Sequence, residues 1–200
     1  EVRGLRDRSG RSIFHEGIED EAALAGHNIV LTIDKGIQFT AERELEAAMS
    51  TYEAVGGSVV VADPTTGEIL AMASSSSYDA SQFNLAAQGT RQPGSSFKPF
   101  VLTTAVDQGI DPDSTYYNGA STTLYPPNGV PWQVASDGGG SASLREATAQ
   151  SMNSVFAALG LDVGPENFDD MAHKMGITSE LQDLPAEAIG GTAFCCTVLE

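Results

Sequence analysis

Hydrophobic residues recur with a helical period in several parts of this 200-residue chain, and the first clear case follows Asp34. The short apolar stretch 28–33 (NIVLTI) predicts a strand, after which Asp34 is placed to cap a helix running from 35 to about 52. The residues expected on the buried face of this helix are Ile37, Ala41, Leu45, Ala48, Met49 and Tyr52.

Two apolar runs, Ser58–Ala62 and Ile69–Ser74, flank the turn sequence DPTTGE and predict an antiparallel hairpin. Hydrophobic residues fill almost every position of both runs, which is typical of strands that are covered on both faces. We therefore expect this hairpin in the middle of a sheet with helices around it.

The second half of the chain combines a turn-rich stretch with helical periodicity. Residues 111–140 hold four of the nine prolines and many glycines, which indicates a long loop. Such a loop could wall a cleft, and an ordinary surface loop with a few packed aromatic residues is the alternative. Helices are predicted over 143–159 and over 166–175, the second ending at Gly176. The residues expected on the buried side of the first are Leu144, Ala147, Met152, Val155, Phe156 and Leu159.

Candidate chemistry lies in the stretch 91–100 (RQPGSSFKPF), where a Pro-Gly turn precedes a predicted helix that Ser95 or Ser96 could cap. Ser95 and Lys98 are three residues apart and would share one helix face, as in a serine activated by a neighbouring base. Burial and the positive end of a helix both lower a lysine pKa, as this base requires. A capping serine and a solvated lysine are the ordinary alternative, but the apolar setting FKPFV favours burial of Lys98.

Ser151 and Asn153 are a second polar pair, within the helix predicted over 143–159. Residues two apart point in different directions on a continuous helix, so both can serve one site only if the helix is interrupted. We place that interruption at 150–153, with one helix up to Ala149 and another from Asn153. The alternative is that both are ordinary polar residues on a helix surface.

Composition narrows the possible partners. The net charge of −17, from 27 acidic and 10 basic residues, argues against nucleic acid and anionic membrane surfaces. A hydrophobic content of 41% argues against general disorder, and no run of 18 apolar residues predicts a membrane span. Cys195 and Cys196 are expected to be small buried hydrophobic residues, and the three scattered histidines suggest no metal site.

Four stretches, in this order, carry a resemblance to a known family: LTIDKGIQFTAERELEAA, VVVADPTTGEILAMAS, FNLAAQGTRQPGSSFKPF and SLREATAQSMNS. Together they resemble the transpeptidase domain of bacterial penicillin-binding proteins. The resemblance implies an α+β fold with a central antiparallel sheet flanked by helices. It also implies a serine acyl-enzyme that crosslinks peptidoglycan stem peptides, is acylated by β-lactams and needs no metal or organic cofactor.

The resemblance assigns roles to the four candidate residues. Ser95 corresponds to the acylated nucleophile and its backbone N–H to half of the oxyanion hole, while Lys98 corresponds to the base. Ser151 would relay a proton to the leaving group and Asn153 would bind a substrate amide. The family's third motif, Lys-Thr/Ser-Gly, does not occur in these 200 residues, so we expect a domain truncated before it and inactive alone.

Domain organisation and subclass follow as further expectations. The chain begins with Glu1. Residues 1–27, in which RDRSGR would form a hairpin tip, would be the tail of an upstream pedestal or dimerisation module. Residues 28–200 would be the N-terminal and helical part of the transpeptidase domain. GLRDRSGRSI followed by GHNIVLTID resembles the monofunctional class, which we favour, although FNLAAQGTRQPGSSFKPF resembles the bifunctional class.

The resemblance further implies work on the extracytoplasmic face of the membrane, with an anchor outside this chain. Its partners there would be stem peptides of a lipid-linked precursor or nascent glycan, and the cell-wall synthesis machinery. Two alternatives stay open: a D,D-carboxypeptidase or serine β-lactamase that uses water as acceptor, and a non-enzymatic β-lactam sensor.

Overall fold

The computed structural model describes residues 4–6, 12–15, 28–127, 129–192 and 196–200. The chain divides into two compact units, Glu1–Thr32 and Ile33–Glu200. In the first unit, strands β1 (Gly4–Arg6) and β2 (Ser12–His15) pair antiparallel, which confirms the predicted hairpin. The tip of that hairpin, at 7–11, lies outside the described residues.

The second unit opens with helix α1 (Lys35–Thr51), and Asp34 caps it as predicted by accepting hydrogen bonds from the backbone N–H groups of Gly36 and Ile37. The expected burial of Ala48 and Tyr52 is wrong, because both side chains are exposed. Met49, in the last turn of α1, still packs against the core, whereas Ala48 and Tyr52 are four residues apart and lie on the solvent-facing side of the helix.

The strand predicted over 28–33 is absent, and Ile29, Val30 and Leu31 are exposed. An extended segment becomes a strand only when another strand satisfies its backbone groups. Among the described residues, no strand pairs with this segment. Apolar composition alone therefore gave a false signal here.

Strands β3 (Ser58–Ala62) and β4 (Ile69–Ser74) form the predicted antiparallel hairpin. Alternate residues of these strands meet α1 in a small core of Ala41, Leu45, Ala71 and Ala73. The expected position in the middle of a sheet is not found, because within the described residues this sheet has two strands. The side-chain amide of Gln38 on α1 instead pairs with both backbone groups of Met72, at 2.8 and 2.9 Å.

The stretch 111–140 is not a loop. It contains most of a second antiparallel hairpin, β5 (Tyr116–Leu124) with β6 (Trp132–Ser143), paired from Tyr116↔Ser143 to Leu124↔Trp132. Three of its four prolines fall in the connection between the strands, where they are compatible with pairing. The prolines therefore mark the tip of a hairpin. The glycines allow the backbone to adopt the register shifts of this strand pair.

The main core lies among the helices that follow. They are α2 (Leu85–Gln88), α3 (Lys98–Asp107), α4 (Leu144–Ala149), α5 (Asn153–Val163) and α6 (Pro165–Lys174), with 3-10 turns at Gly94–Phe97 and Pro185–Ile189. Phe97, Phe156 and Phe168 are fully buried in this core, and all six residues predicted on the buried side of 143–159 are buried, with Met152 at 7% exposure. The predicted α+β class with antiparallel strands is thus confirmed. Within the described residues, no helix has the length and apolar composition needed to cross a membrane.

Candidate active site

Ser95 lies in the Gly94–Phe97 turn that leads directly into α3, and its carbonyl accepts the backbone N–H of Lys98. The side chain of Ser95 is exposed, and its Oγ makes no hydrogen bond with the described residues. Neither serine caps α3 as predicted: the Ser96 hydroxyl donates to the Pro93 carbonyl at 2.7 Å, and the cap position falls on Phe97. The turn thus presents Ser95 Oγ as a free hydroxyl.

Lys98 is the first residue of α3 and is 3% exposed. Its Nζ donates to the Ser151 carbonyl at 2.6 Å, to Ser151 Oγ at 2.9 Å and to Asn153 Oδ1 at 2.8 Å. These three acceptors use all three protons of an ammonium group. The structure therefore joins three of the four predicted residues, while the direct contact from Lys98 to Ser95 that the spacing predicts is not among the described hydrogen bonds.

Burial dominates the electrostatics of this lysine. Desolvation lowers the pKa of Lys98, because the charged ammonium loses contact with water. No carboxylate of the described residues contacts Nζ, so no counter-ion offsets that effect. The ring of Phe156 has its centroid 5.4 Å from Nζ. A neutral lysine amine is therefore easier to populate here than in water, which suits a general base.

The interruption between α4 and α5 lets Ser151 and Asn153 both bind Nζ of Lys98. As predicted, one helix ends at Ala149 and the next begins at Asn153. Ser151 adopts φ +53°, an unusual left-handed conformation for a residue other than glycine. This conformation lets both the hydroxyl and the carbonyl of Ser151 reach Lys98.

The β5–β6 hairpin forms one wall beside this interruption. A cleft of about 250 Å³ is lined by residues 135–138 of β6 and by 150–153. The expectation that this part of the chain walls a cleft is met, by strands instead of a loop. A larger cleft, of about 390 Å³, lies beside Arg91 and Phe100 and contains neither Ser95 nor Lys98.

Sequence reasoning missed two features of the site. The Ser151 carbonyl accepts the shortest of the Lys98 hydrogen bonds, and backbone carbonyls leave no signature in a sequence. Gly119 and Gly138 leave room for Met152, the residue between Ser151 and Asn153, since β-carbons there would lie 3.2 and 3.1 Å from its side chain. The glycines of the hairpin are the available signal, although their number in 111–140 predicts a loop.

The cysteine prediction is met for Cys196, which is buried, whereas Cys195 lies outside the described residues. Among the described residues, no group of three or more His, Cys, Asp or Glu side chains is arranged to hold a metal ion.

The sequence of this chain is similar to those of known proteins. The sequence model of the penicillin binding protein transpeptidase domain matches residues 57–194. The probable peptidoglycan D,D-transpeptidase PenA of Neisseria gonorrhoeae is 30% identical over 197 residues, covering 93% of this chain and 33% of that protein. The peptidoglycan D,D-transpeptidase FtsI of Escherichia coli K12 is 36% identical over 122 residues, covering 56% of this chain and 20% of that protein. The chain thus spans a third or less of the length of these relatives.

Solved structures agree on the fold. The transpeptidase domain of penicillin-binding protein 3 from Burkholderia pseudomallei has a TM-score of 0.70 at 21% identity, covering 88% of this chain and 56% of that one. A peptidoglycan glycosyltransferase from Burkholderia ambifaria has a TM-score of 0.69 at 22% identity, covering 84% and 57%. Since the family's sequence model spans well over half of the residues, the chain belongs to the penicillin-binding protein transpeptidase domain family.

Proposed function

We propose that this chain carries the nucleophile and base of a penicillin-binding D,D-transpeptidase that crosslinks peptidoglycan stem peptides through an acyl-enzyme on Ser95. The observation that carries the proposal is the buried Nζ of Lys98, bonded to Ser151 and Asn153 and one helical turn from the exposed hydroxyl of Ser95. A free hydroxyl one helical turn from a desolvated amine supplies the nucleophile and the base that catalysis by serine requires.

The proton transfers follow from these positions. Neutral Lys98 takes the proton of Ser95 as its Oγ attacks the carbonyl carbon of the stem peptide, and the Ser95 backbone N–H donates to the oxyanion. The C–N bond then breaks, and Ser151 passes a proton from Lys98 to the leaving amine. A second stem peptide attacks the ester with its amine and returns a proton through Ser151, which frees Ser95.

Asn153 supplies a binding group in this scheme. Its Oδ1 accepts from Lys98, which fixes the orientation of the amide and leaves Nδ2 directed elsewhere. The Nδ2 group is thereby available to donate to a carbonyl of the bound peptide. Asn153 suits this position because its amide has both an acceptor, used by Lys98, and a donor, left for the peptide.

The wider assignment extends the same proposal. We propose residues 1–27 as the tail of an upstream module and 28–200 as the transpeptidase part, in an enzyme of the monofunctional class. It would act on the extracytoplasmic face of the membrane with the cell-wall synthesis machinery, held by an anchor outside these residues. Because no Lys-Thr/Ser-Gly motif occurs in the 200 residues, we expect them to turn over poorly by themselves.

Intact-mass spectrometry after incubation with a penicillin tests the nucleophile, in a chain that carries a Lys-Thr/Ser-Gly motif downstream of Glu200. We expect a stable mass increase of one penicillin, which disappears in Ser95→Ala. Ser96→Ala is the matched control, since that hydroxyl only bonds the Pro93 carbonyl, and it should keep the adduct. A folded chain without an adduct would contradict the proposal.

The acceptor is tested separately with a thioester analogue of the stem peptide. Release of the acyl group to an added D-amino acid supports a transpeptidase. Release to water alone would indicate a carboxypeptidase or a β-lactamase, and an adduct that is never released would indicate a sensor.

A further inference from the structure

Two acidic side chains are buried together away from the Lys98 site. Asp169 on α6 is 3% exposed, and Glu187 in the Pro185–Ile189 turn is 0% exposed. Carboxylates are rarely buried unless each charge is paired or neutralised. The pair therefore needs a physical explanation.

Hydrogen bonds satisfy most of the four oxygen atoms. Glu187 accepts the backbone N–H of Leu184 at 2.7 Å and that of Gln182 at 3.1 Å, while Asp169 Oδ2 accepts the N–H of Asp183 at 2.8 Å. Asp169 Oδ1 is buried with no donor among the described residues. The N–H groups that bind the two carboxyl groups belong to three consecutive residues, 182–184, so both carboxyl groups lie against the same short segment. Ionised carboxylates only accept hydrogen bonds, whereas a proton on one of the two would supply the donor that Asp169 Oδ1 lacks.

The surroundings favour that proton. Burial raises the pKa of Asp169 to about 7, and the neighbouring charges of Glu187 and Asp183 act in the same direction. On the helices packed against α6, Lys98 of α3 is bonded to Ser151 and Asn153, and Asp162 of α5 accepts from Tyr117. The remaining titratable group of α3, Asp107, is exposed. The imidazole of His173 is one turn along α6 from Asp169, and its Nδ1 bonds the carbonyl of Ile177 at 2.8 Å.

The Pro185–Ile189 turn connects this pair to the nucleophile. Gly190 ends that turn at φ +72°, and its N–H donates to the Glu187 carbonyl at 2.8 Å. A β-carbon on Gly190 would overlap the backbone of Gly94, so the two glycines pack backbone to backbone. Gly94 immediately precedes Ser95, and any shift of the Pro185–Ile189 turn therefore reaches the nucleophile.

We propose that Asp169 and Glu187 share one proton and that the protonated pair is a positioning device, holding Gly190 against Gly94 and thereby fixing Ser95. This role rests on the proposed function of Ser95. When the proton leaves, two buried charges repel each other and the turn that carries Glu187 loosens. Acylation of Ser95 then slows without any change in Ser95 or Lys98.

The shared proton is tested first without any substrate. In protein labelled with ¹³C at the side-chain carboxyl groups, an NMR titration should show one Asp carboxyl that remains protonated up to about neutral pH. That signal should be missing in Asp169→Asn and unchanged in His173→Gln. Two carboxyl groups that are both ionised at pH 6 would overturn the inference.

The positioning role is tested by the rate of penicillin acylation against pH, in the same chain as above. Oε2 of Glu187 lies within reach of both N–H groups, at 2.7 Å from that of Leu184 and 3.3 Å from that of Gln182. In Glu187→Gln, an amide oxygen at this position keeps both bonds and the NH2 group supplies a permanent donor, so this variant should match the wild type near pH 6. At about pH 8, one unit above the titration, the wild type should be slower than Glu187→Gln by up to about tenfold. Glu187→Ala loses the acceptors for Gln182 and Leu184 and should be slow at both pH values, and His173→Gln should retain the wild-type profile.

The outcomes separate this inference from the proposed function. If the wild type and Glu187→Gln keep a constant rate ratio across the pH range, the positioning role is wrong even when Ser95 is labelled normally. If the NMR titration shows the shared proton and Ser95 is never labelled, the proposed function fails while the proton assignment stands.

Discussion

At the scale of single residues, the conformation of Ser151 shows strain at the point where the chemistry is proposed. A left-handed conformation costs a residue with a β-carbon about 1–2 kcal/mol, and Ser151 holds it at φ +53°. In this conformation, the carbonyl oxygen and Oγ of Ser151 both accept hydrogen bonds from Lys98 Nζ. The position is thus arranged for the site at the expense of local stability.

Two substitutions at Ser151 separate these effects. Both Ser151→Ala and Ser151→Gly remove Oγ, and both should slow release of the acyl group by about 10²–10⁴-fold, the usual contribution of a proton-transfer group. Only glycine relieves the backbone strain, so Ser151→Gly should be more stable than Ser151→Ala by about 1 kcal/mol. Urea unfolding measures the difference, and equal stabilities would show that φ is not strained.

At the scale of elements, the β5–β6 hairpin determines the position of the α4–α5 interruption. Met152 is 7% exposed and lies against the glycine positions of both strands. Tyr117 of β5 also donates to the Asp162 carboxylate of α5 at 2.7 Å, which ties the hairpin to the helix that starts at Asn153. The hairpin is therefore part of the support for the site.

Adjacent glycines of β6 provide a matched pair for testing this support. A β-carbon at Gly138 would lie 2.8 Å from the Gly119 carbonyl and 3.1 Å from Met152, whereas one at Gly139 would have nothing within 4 Å. Gly138→Ala should lower stability by about 1–3 kcal/mol and slow acylation of Ser95, as overpacking next to Met152 displaces Ser151. Gly139→Ala should be neutral or slightly stabilising in thermal unfolding, and equal effects of the two variants would argue against the packing role.

At the scale of the whole molecule, two carboxyl groups give opposite dependences of stability on pH. Partial burial acts to raise the pKa of Glu200, but hydrogen bonds from Thr178, Thr197 and Ser179 outweigh it and lower the pKa to about 2. Its contribution is present above its ordinary value of 4.5 and is lost as the pH falls towards 2. Asp169, with a raised pKa, stabilises the fold at low pH and loses that contribution as the pH rises from its ordinary 3.8 to about 7.

Thermal unfolding between pH 2 and pH 8 checks both slopes. Below about pH 4.5, Glu200→Gln should lose less stability than the wild type as the pH falls. Near neutral pH, the stability of the variant should change with pH in parallel with that of the wild type. Asp169→Asn should flatten the decline between about pH 4 and pH 7. Curves that remain parallel to the wild type over the whole range would show that neither carboxyl group carries the assigned dependence.

Local signals in the sequence were sufficient for much of the fold and the site. The Asp34 cap and the period after it predicted α1, and the conflict between Ser151 and Asn153 on one helix predicted the interruption that the structure contains. These features depend on residues within a few positions of each other. The four stretches that together resemble the family are likewise local patterns, and the spacing of Ser95 and Lys98 within one helical turn is part of one of them.

Tertiary structure alone decided the rest, because those features depend on partners that are distant in the chain. Whether 28–33 and 111–140 become strands depends on whether other segments satisfy their backbone groups, and both predictions from composition were wrong. The three acceptors of Lys98 come from a turn more than 50 residues away. The binding of Asp169 and Glu187 to the same segment, 182–184, and the contact between Gly190 and Gly94 likewise arise only when separate elements pack. No local pattern in the sequence records which residues will meet.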